Sequence, residues 1–234
     1  GAAPIYANAE NCLAKAAECE PNEIKHLLRL AELKDLQGDF ADAYLLYSKA
    51  LDIDDTNLSA LMACGLFQSR QMEDCDAAMQ FFDKVIELDA NNLLAHFARA
   101  EALANAERYE AALADLGFVL EREFQESAAI LKVNILENQG KFEETVELRK
   151  ALVAARPDFA GYAYSCGRTL SLLGQYAAAA PYFAKAYDLL VADGQPLDVN
   201  LLDDYSFVTL HLEQFQKTVD LTTQLIETPD HEDV

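Results

Sequence analysis

Apolar residues recur at three- and four-residue steps along most of the chain, the spacing that places side chains on one face of an α-helix. In residues 24–57, Leu27 and Leu30 define the face of a first helix, and Ala43 and Tyr47 define the face of a second. A short polar turn containing glycine separates the two helices, and glycine supplies the positive φ that ends a helix. The pattern predicts a helical hairpin.

The hairpin pattern repeats along the chain. The tail of the first unit reads GDFADAYLLYSKALDIDDTN, and the next unit ends with MEDCDAAMQFFDKVIELDANN. Superposing these tails pairs Ala43 with Ala78 and Tyr47 with Phe82, and each tail ends in a turn rich in Asp and Asn. Self-similarity at a period of about 34 residues is typical of repeat proteins. Related tails recur at residues 109–126, 142–159 and 176–190, and a degenerate one at 215–229.

These repeats predict one leading helix and six helix pairs, about thirteen helices in a single domain over residues 1–234. Residues 1–21 form either a half repeat or a cap helix. We favour a trimmed array, because an apolar first helix needs a partner. The interval 192–200 is expected to be a lengthened turn. The predicted repeats span residues 24–57, 58–92, 93–126, 127–159, 160–196 and 197–229.

The spacing of small and large residues resembles that of the tetratricopeptide repeat (TPR) family. The first helices carry a Leu followed by a small residue, as in Leu30–Ala31, and the second helices carry a small residue and then an aromatic, as in Ala78 and Phe82. Small residues let helices approach, and the aromatics fill the remaining gaps. The chain departs from the family in having no Trp and in placing Thr145 and Thr218 where Ala is expected. The resemblance implies an all-α fold, an α-solenoid of helix–turn–helix repeats wound as a right-handed superhelix.

The composition is strongly acidic, with 40 Asp and Glu residues against 18 Lys and Arg, for a net charge of −22. Nucleic acids and anionic membranes are both bound through clustered basic residues, so neither is an expected partner. The charge is uneven: residues 1–126 carry −14, residues 127–196 are neutral and residues 197–234 carry −8. The acidity either keeps an extended protein in solution or attracts a basic partner.

The five cysteines show no CxxC motif or Cys/His cluster, so no zinc site is expected. Cys12 and Cys19 are seven residues apart on one predicted helix, about 10 Å of rise, which is too far for a disulfide. Small buried thiols in a reducing, cytoplasmic compartment are the favoured interpretation. An exported or periplasmic location stays open if a leader was trimmed before Gly1. No apolar run is long enough for membrane insertion.

No catalytic motif is present. The sequence lacks a glycine-rich phosphate loop, a GxSxG elbow and an HExxH motif, and its four histidines share no spacing. His96 occupies a first-helix position that favours a buried structural role. We therefore expect neither an enzyme nor a bound cofactor.

In the TPR family the first helices line a concave groove that receives extended or helical peptide segments. Transferred by position, that resemblance implies a groove that takes an apolar or basic protein segment. The subgroup that clamps an acidic C-terminal carboxylate is not matched, because Leu28, Glu32 and Ala98 stand where basic or amide side chains are needed. The expected groove residues are Lys25, Leu28, Glu32, Met62, Leu66, Phe97, Glu101, Ile130, Tyr164, Arg168 and Phe207.

Three functions agree with the sequence. The first is a non-catalytic scaffold that binds a peptide or protein segment in the groove. The second is a structural module that associates with its own copies into a homo-oligomer. The third is the interaction arm of a larger envelope or regulatory complex. The sequence does not identify the partner or the pathway.

Overall fold

The computed structural model describes residues 3–20 and 23–227, and every regular element in these ranges is an α-helix. The all-α prediction and the number of helices are confirmed. The helices are α1 Ala3–Cys19, α2 Ile24–Gln37, α3 Phe40–Ile53, α4 Leu58–Arg70, α5 Cys75–Leu88, α6 Leu93–Asn105, α7 Tyr109–Arg122, α8 Glu126–Asn138, α9 Phe142–Ala155, α10 Ala160–Leu172, α11 Tyr176–Ala192, α12 Val199–His211 and α13 Phe215–Glu227.

The chain folds as two compact units, Gly1–Glu123 and Phe124–Val234. In the first unit α2 pairs with α3, α4 with α5 and α6 with α7. In the second unit α8 pairs with α9, α10 with α11 and α12 with α13. Within each unit, contacts also join each pair to the next, as α3 does with α4 and α11 with α12. The prediction of one domain over residues 1–234 stays a prediction.

Each hairpin turn places one residue in the left-handed region. Only three of these residues are glycine, and the other three are glutamate, for which this conformation costs about 1 kcal/mol. The following backbone N–H closes the helix; for example, Asp39 N donates to Lys34 O at 2.9 Å. The left-handed residues are Gly38, Glu73, Glu107, Gly140, Gly174 and Glu213.

Three of the turns between hairpins end in a residue whose side chain caps the first helix of the next hairpin. Asn57, Asn92 and Asp198 each accept a hydrogen bond from a backbone N–H in the first turn of the helix that follows. These caps satisfy donors that the helix itself leaves unpaired, and each contributes about 1 kcal/mol. The Asp- and Asn-rich tails seen in the sequence are therefore helix starts.

Small residues and aromatics form the core of each pair. Gly65 on α4 faces Phe82 on α5, and Gly167 on α10 faces Phe183 on α11. Both phenylalanines are completely buried. A Cβ atom added to Gly65 would lie 2.5 Å from the Phe82 ring, whereas at Gly167 the nearest ring atom would be 3.1 Å away. The helices thus approach as closely as glycine allows.

The two threonines at Ala-type positions are accommodated by hydrogen bonds. Thr145 is fully buried, and its hydroxyl donates to the Phe142 carbonyl at 2.9 Å. Thr218 lies 2.9 Å, oxygen to oxygen, from Thr209 on the preceding helix. A hydroxyl that finds such a partner avoids most of the cost of burial.

The thiols are only partly as expected. Cys64 and Cys166 are buried, and burial raises the pKa of the Cys64 thiol to about 11. Cys12 and Cys19, in contrast, are exposed on α1, so the expectation of buried thiols is wrong for these two. Pro21 lies outside the described residues.

The close approach of α4 and α5 at Gly65 can be tested by substitution. Replacing Gly65 with Ala should lower the free energy of unfolding by about 1–2 kcal/mol, because the buried Phe82 ring cannot move away. Gly117 lies in the interior of α7, and a methyl group added there would have no atom within 4 Å. Gly117→Ala should therefore raise stability by about 0.5–1 kcal/mol through helix propensity. Urea unfolding followed by circular dichroism would measure both, and shifts of the same sign would contradict the packing argument.

Candidate functional site

Two of the expected groove residues lie in a cleft of the first unit. Met62 and Leu66, one turn apart on α4, line a cleft of about 400 Å³ against α2 and α3. Both side chains are half-buried, so each retains surface that a bound segment could cover. The remaining lining residues are Asp35, Phe40, Tyr44, Tyr47, Ser59, Ala63, Phe67, Arg70 and Gln71.

Aromatic rings form one wall of this cleft. Tyr44 on α3 and Phe67 on α4 are stacked, with ring centroids 4.5 Å apart and planes inclined by 18°. The Tyr44 hydroxyl accepts a hydrogen bond from Gln68 Nε2 at 3.0 Å, which fixes the ring. Phe40, at the start of α3, remains largely exposed at the same cleft. The wall is therefore rigid where the rings stack and open at Phe40.

Helix α2 contributes one carboxylate, that of Asp35, to the cleft lining. Tyr47 is buried, and its hydroxyl donates to Asp35 Oδ2 at 3.0 Å. The pKa of the Tyr47 phenol is raised strongly, first by burial and then by the negative charges of Asp35 and Glu32. Tyr47 thus stays a neutral donor and holds the Asp35 carboxylate in place.

The other expected residues of α2 and α6 have different surroundings. Leu28 packs against the core cluster formed by α2, α3 and α4, whereas Lys25 and Glu32 are exposed. Phe97 is half-buried on α6. Glu101, also on α6, accepts a hydrogen bond from Arg70 Nη2 at 2.8 Å. That ion pair joins α4 to α6 and neutralises Glu101.

In the second unit Tyr164 is held by a carboxylate. Its hydroxyl donates to Asp204 Oδ2 at 2.9 Å, a bond from α10 to α12. Burial and this bond raise the pKa of the Tyr164 phenol. Arg168 is exposed one turn further along α10, and Ile130 is half-buried on α8.

Phe207 belongs to an exposed aromatic group. It lies against Tyr176 with ring centroids 5.8 Å apart and against His211 at 4.2 Å. His211 Nδ1 is 2.8 Å from the Phe207 carbonyl oxygen. Phe207 remains about half exposed, so this face of the second unit presents an apolar surface to solvent.

His96 lies in a buried ionic network on α5, α6 and α7. Its Nδ1 is 2.7 Å from Asp115 Oδ1, and its ring stacks on Phe118. Arg99 donates two hydrogen bonds to the Asp115 carboxylate and one to Asp83, each of 2.7 Å. The Asp115 carboxylate thereby contacts both side chains, and its hydrogen bonds raise the pKa of Arg99. The expected structural role of His96 agrees with this placement.

The described histidines and carboxylates do not come together as a metal-binding site. Within residues 3–20 and 23–227, no group of three or more His, Cys, Asp or Glu side chains is arranged to hold a metal ion. His26 contacts Glu20 at 2.8 Å and is far along the chain from His96 and His211. His231 lies outside the described residues.

Sequence reasoning missed most of the cleft. Asp35, Tyr44 and Phe67 were not among the expected residues, yet all three line it. A sequence signal was present for Asp35 and Tyr44. Asp35 continues the helical series that begins at Leu28 and Glu32, and Tyr44 lies on the same face of α3 as its neighbours four residues before and three after.

The folding pattern is that of known repeat proteins. The C-terminal part of a TPR repeat-containing protein from Cytophaga hutchinsonii superposes with a TM-score of 0.77 at 11% identity, over 97% of this chain and 92% of that one. The chain has the tetratricopeptide repeat fold. No protein-family model matches its sequence, and no curated protein does.

Two further structures with the TPR fold are similar over part of the chain. YrrB, a TPR protein with an unusual peptide-binding site, matches with a TM-score of 0.64 at 16% identity, over 79% of this chain and 93% of its own. MamA from Desulfovibrio magneticus RS-1 matches with a TM-score of 0.62 at 19% identity, over 72% of this chain and 96% of its own. At such identities the likeness concerns the fold alone.

A helix that crosses a bilayer needs about 20 predominantly apolar residues. In the part of the chain that the structure describes, none of the helices has both the length and the apolarity needed to cross a bilayer.

Asp115 and Asp83 bind the same Arg99 guanidinium, but their removal is expected to lower the free energy of unfolding by different amounts. Asp115→Ala should lower the free energy of unfolding by about 3 kcal/mol, because it leaves the buried His96 and the half-buried Arg99 without their common partner. Asp83→Ala should cost less than about 1 kcal/mol, because Asp83 is exposed. Chemical denaturation of both variants checks this, and equal losses would contradict the assigned role of Asp115.

Proposed function

We propose that the protein is a non-catalytic scaffold that binds a peptide or protein segment on the face formed by its first helices. The cleft lined by Met62 and Leu66 carries the proposal, because it combines exposed apolar surface with a rigid aromatic wall. Peptide sites in proteins commonly use such pockets for side-chain anchors. YrrB, which shares the fold, is itself a TPR protein with a peptide-binding site.

The expected groove residues outside the cleft are assigned supporting roles. Leu28 and Phe97 would extend the apolar surface in the first unit. Lys25 and Glu32 would contribute charge at its rim, whereas Glu101 is already paired with Arg70. Ile130, Tyr164, Arg168 and Phe207 would form a separate contact surface in the second unit. Tyr164 is preorganised by Asp204, and a side chain that is already fixed loses little entropy on binding.

Peptide selection tests the scaffold function. A random dodecapeptide library displayed on phage would be panned against the intact protein, and the affinity of selected peptides measured by fluorescence polarisation. Leu66→Glu should weaken binding by at least about tenfold, because it places a charge on an apolar contact. Phe97→Glu and Tyr164→Glu then report on the rest of the groove.

A matched control separates binding from general damage. Leu45 is exposed on α3 but does not line the cleft, so Leu45→Glu makes the same chemical change elsewhere. Peptides should bind this variant as they bind the unmodified protein. Selected peptides that respond equally to both substitutions, or a library that yields none, would refute the proposal for this cleft.

Self-association is the second candidate, favoured by the outer face of α13. Phe215, Val219 and Ile226 lie along one stripe of this helix and are 62%, 56% and 84% exposed. In repeat proteins such a face is usually covered by the next helix. A second copy, presenting the same stripe, could cover it by two-fold pairing.

Light scattering at increasing protein concentration tests this alternative. A two-fold pairing predicts a rise of the mass from monomer to dimer, and Val219→Glu should return it to the monomer by placing a charge in the apolar contact. Leu45→Glu, which makes the same kind of change at an exposed apolar side chain on α3, is the control and should leave the dimer intact. A strict monomer at every concentration would eliminate the self-association hypothesis.

A further inference from the structure

Two carboxylates lie one helical turn apart on α2, and one of them lines the cleft. Asp35 lines the cleft, and Glu32 lies one helical turn before it on the same helix. Both act on the same phenol, since their charges raise the pKa of Tyr47. Glu32 is exposed and Asp35 is half-buried, so both carboxylates keep surface that a ligand can contact.

Neither carboxylate is neutralised within the chain. Among the residues that the structure describes, no Lys, Arg or His forms an ion pair with Asp35 or Glu32; the Tyr47 hydroxyl, a neutral donor, occupies one Asp35 oxygen. Lys34, their sequence neighbour, is committed to Glu10 and Asp39. The cleft edge therefore keeps its negative charge.

The other charged side chain that lines the cleft already has a partner of opposite charge. Arg70 also lines the cleft, but Glu101 binds its guanidinium at 2.8 Å. The cleft lining thus contains the carboxylate of Asp35, the guanidinium of Arg70, which is already paired, and the apolar side chains of Met62 and Leu66. Because residues 1–126 carry a net charge of −14, the surrounding field also favours a cationic ligand.

The aromatic lining discriminates between the two common cationic side chains. A guanidinium is planar, stacks on aromatic rings and donates two parallel hydrogen bonds to a carboxylate. A lysine ammonium is a compact, strongly hydrated charge that gains less from a flat ring. With Phe40, Tyr44 and Phe67 lining the cleft, its shape and chemistry fit arginine better than lysine.

We propose that this cleft binds an arginine side chain of the partner segment, with the guanidinium on Asp35 and Glu32 and a neighbouring apolar side chain on Met62 and Leu66. The inference rests on the proposed scaffold function, since it names the chemistry of the segment bound at the same cleft. The partner is a peptide with an arginine flanked by apolar residues.

A capped heptapeptide of sequence Ala-Leu-Ala-Arg-Ala-Leu-Ala is the probe, with matched peptides carrying citrulline or lysine in place of arginine. Citrulline keeps the shape of arginine but has no charge. Titration monitored by NMR should show saturable binding of the arginine peptide, with shifts in α2, α3 and α4. The citrulline peptide should bind about tenfold more weakly and the lysine peptide about threefold more weakly.

The protein variants pair with the peptides. Asp35→Asn retains an acceptor for the Tyr47 hydroxyl and removes the charge. It should therefore weaken binding of the arginine peptide about fivefold and leave the affinity for the citrulline peptide unchanged. Asp52→Asn, an exposed carboxylate further along α3 that does not line the cleft, is the charge control and should change neither peptide by more than about twofold.

The outcomes distinguish the two levels of the proposal. If arginine and citrulline peptides bind equally, or if Asp35→Asn weakens both alike, arginine recognition is wrong. If Leu66→Glu still abolishes binding in that case, the cleft remains a peptide site. If none of the three peptides shows saturable binding, arginine recognition is overturned. If the phage-selected peptides bind the Leu66→Glu variant as tightly as the unmodified protein, the scaffold assignment for this cleft is separately overturned.

Discussion

The structure depends on how closely two helices of a hairpin can approach. At Gly65 and Gly167 the first helix offers no side chain, and the Phe82 and Phe183 rings fill the space directly. Dense packing at these points fixes the distance and angle within a pair, because a buried ring in contact on all sides has no alternative position. The exposed faces of the same helices are then held in fixed register, since α4 carries both Gly65 and the cleft residue Leu66.

Polar groups refine this arrangement without replacing it. The network of Asp115 with Arg99 and His96 joins α6 to α7, and the ion pair of Arg70 with Glu101 joins α4 to α6. Such interactions contribute modestly to stability when formed, but they disfavour alternative packings that would leave the charges unpaired. In the first unit, therefore, apolar contacts set the spacing of the helices and ionic contacts select their orientation.

The sequence was sufficient for the helices and the packing residues, because both follow from periodicity along one chain. It was less informative about surfaces. Asp35 and Phe67 meet at one cleft only after α2 and α4 are packed, and the angle between helices is not encoded in the spacing within either one. The exposure of Cys12 and Cys19 was missed for a related reason. Helix α1 packs mainly against α2, and its composition does not show which of its faces that contact covers.

Within each unit the contacts join helices that are adjacent, or nearly so, in sequence. Few distant segments must therefore find each other before native contacts form, and the entropy of loop closure stays small. Each helix pair can act as its own nucleus, so folding is expected to be rapid and to start at more than one place. Amide hydrogen exchange in such a chain reports the opening of individual hairpins rather than one global event, and its slowest protons should lie in the pairs closed by Phe82 and Phe183.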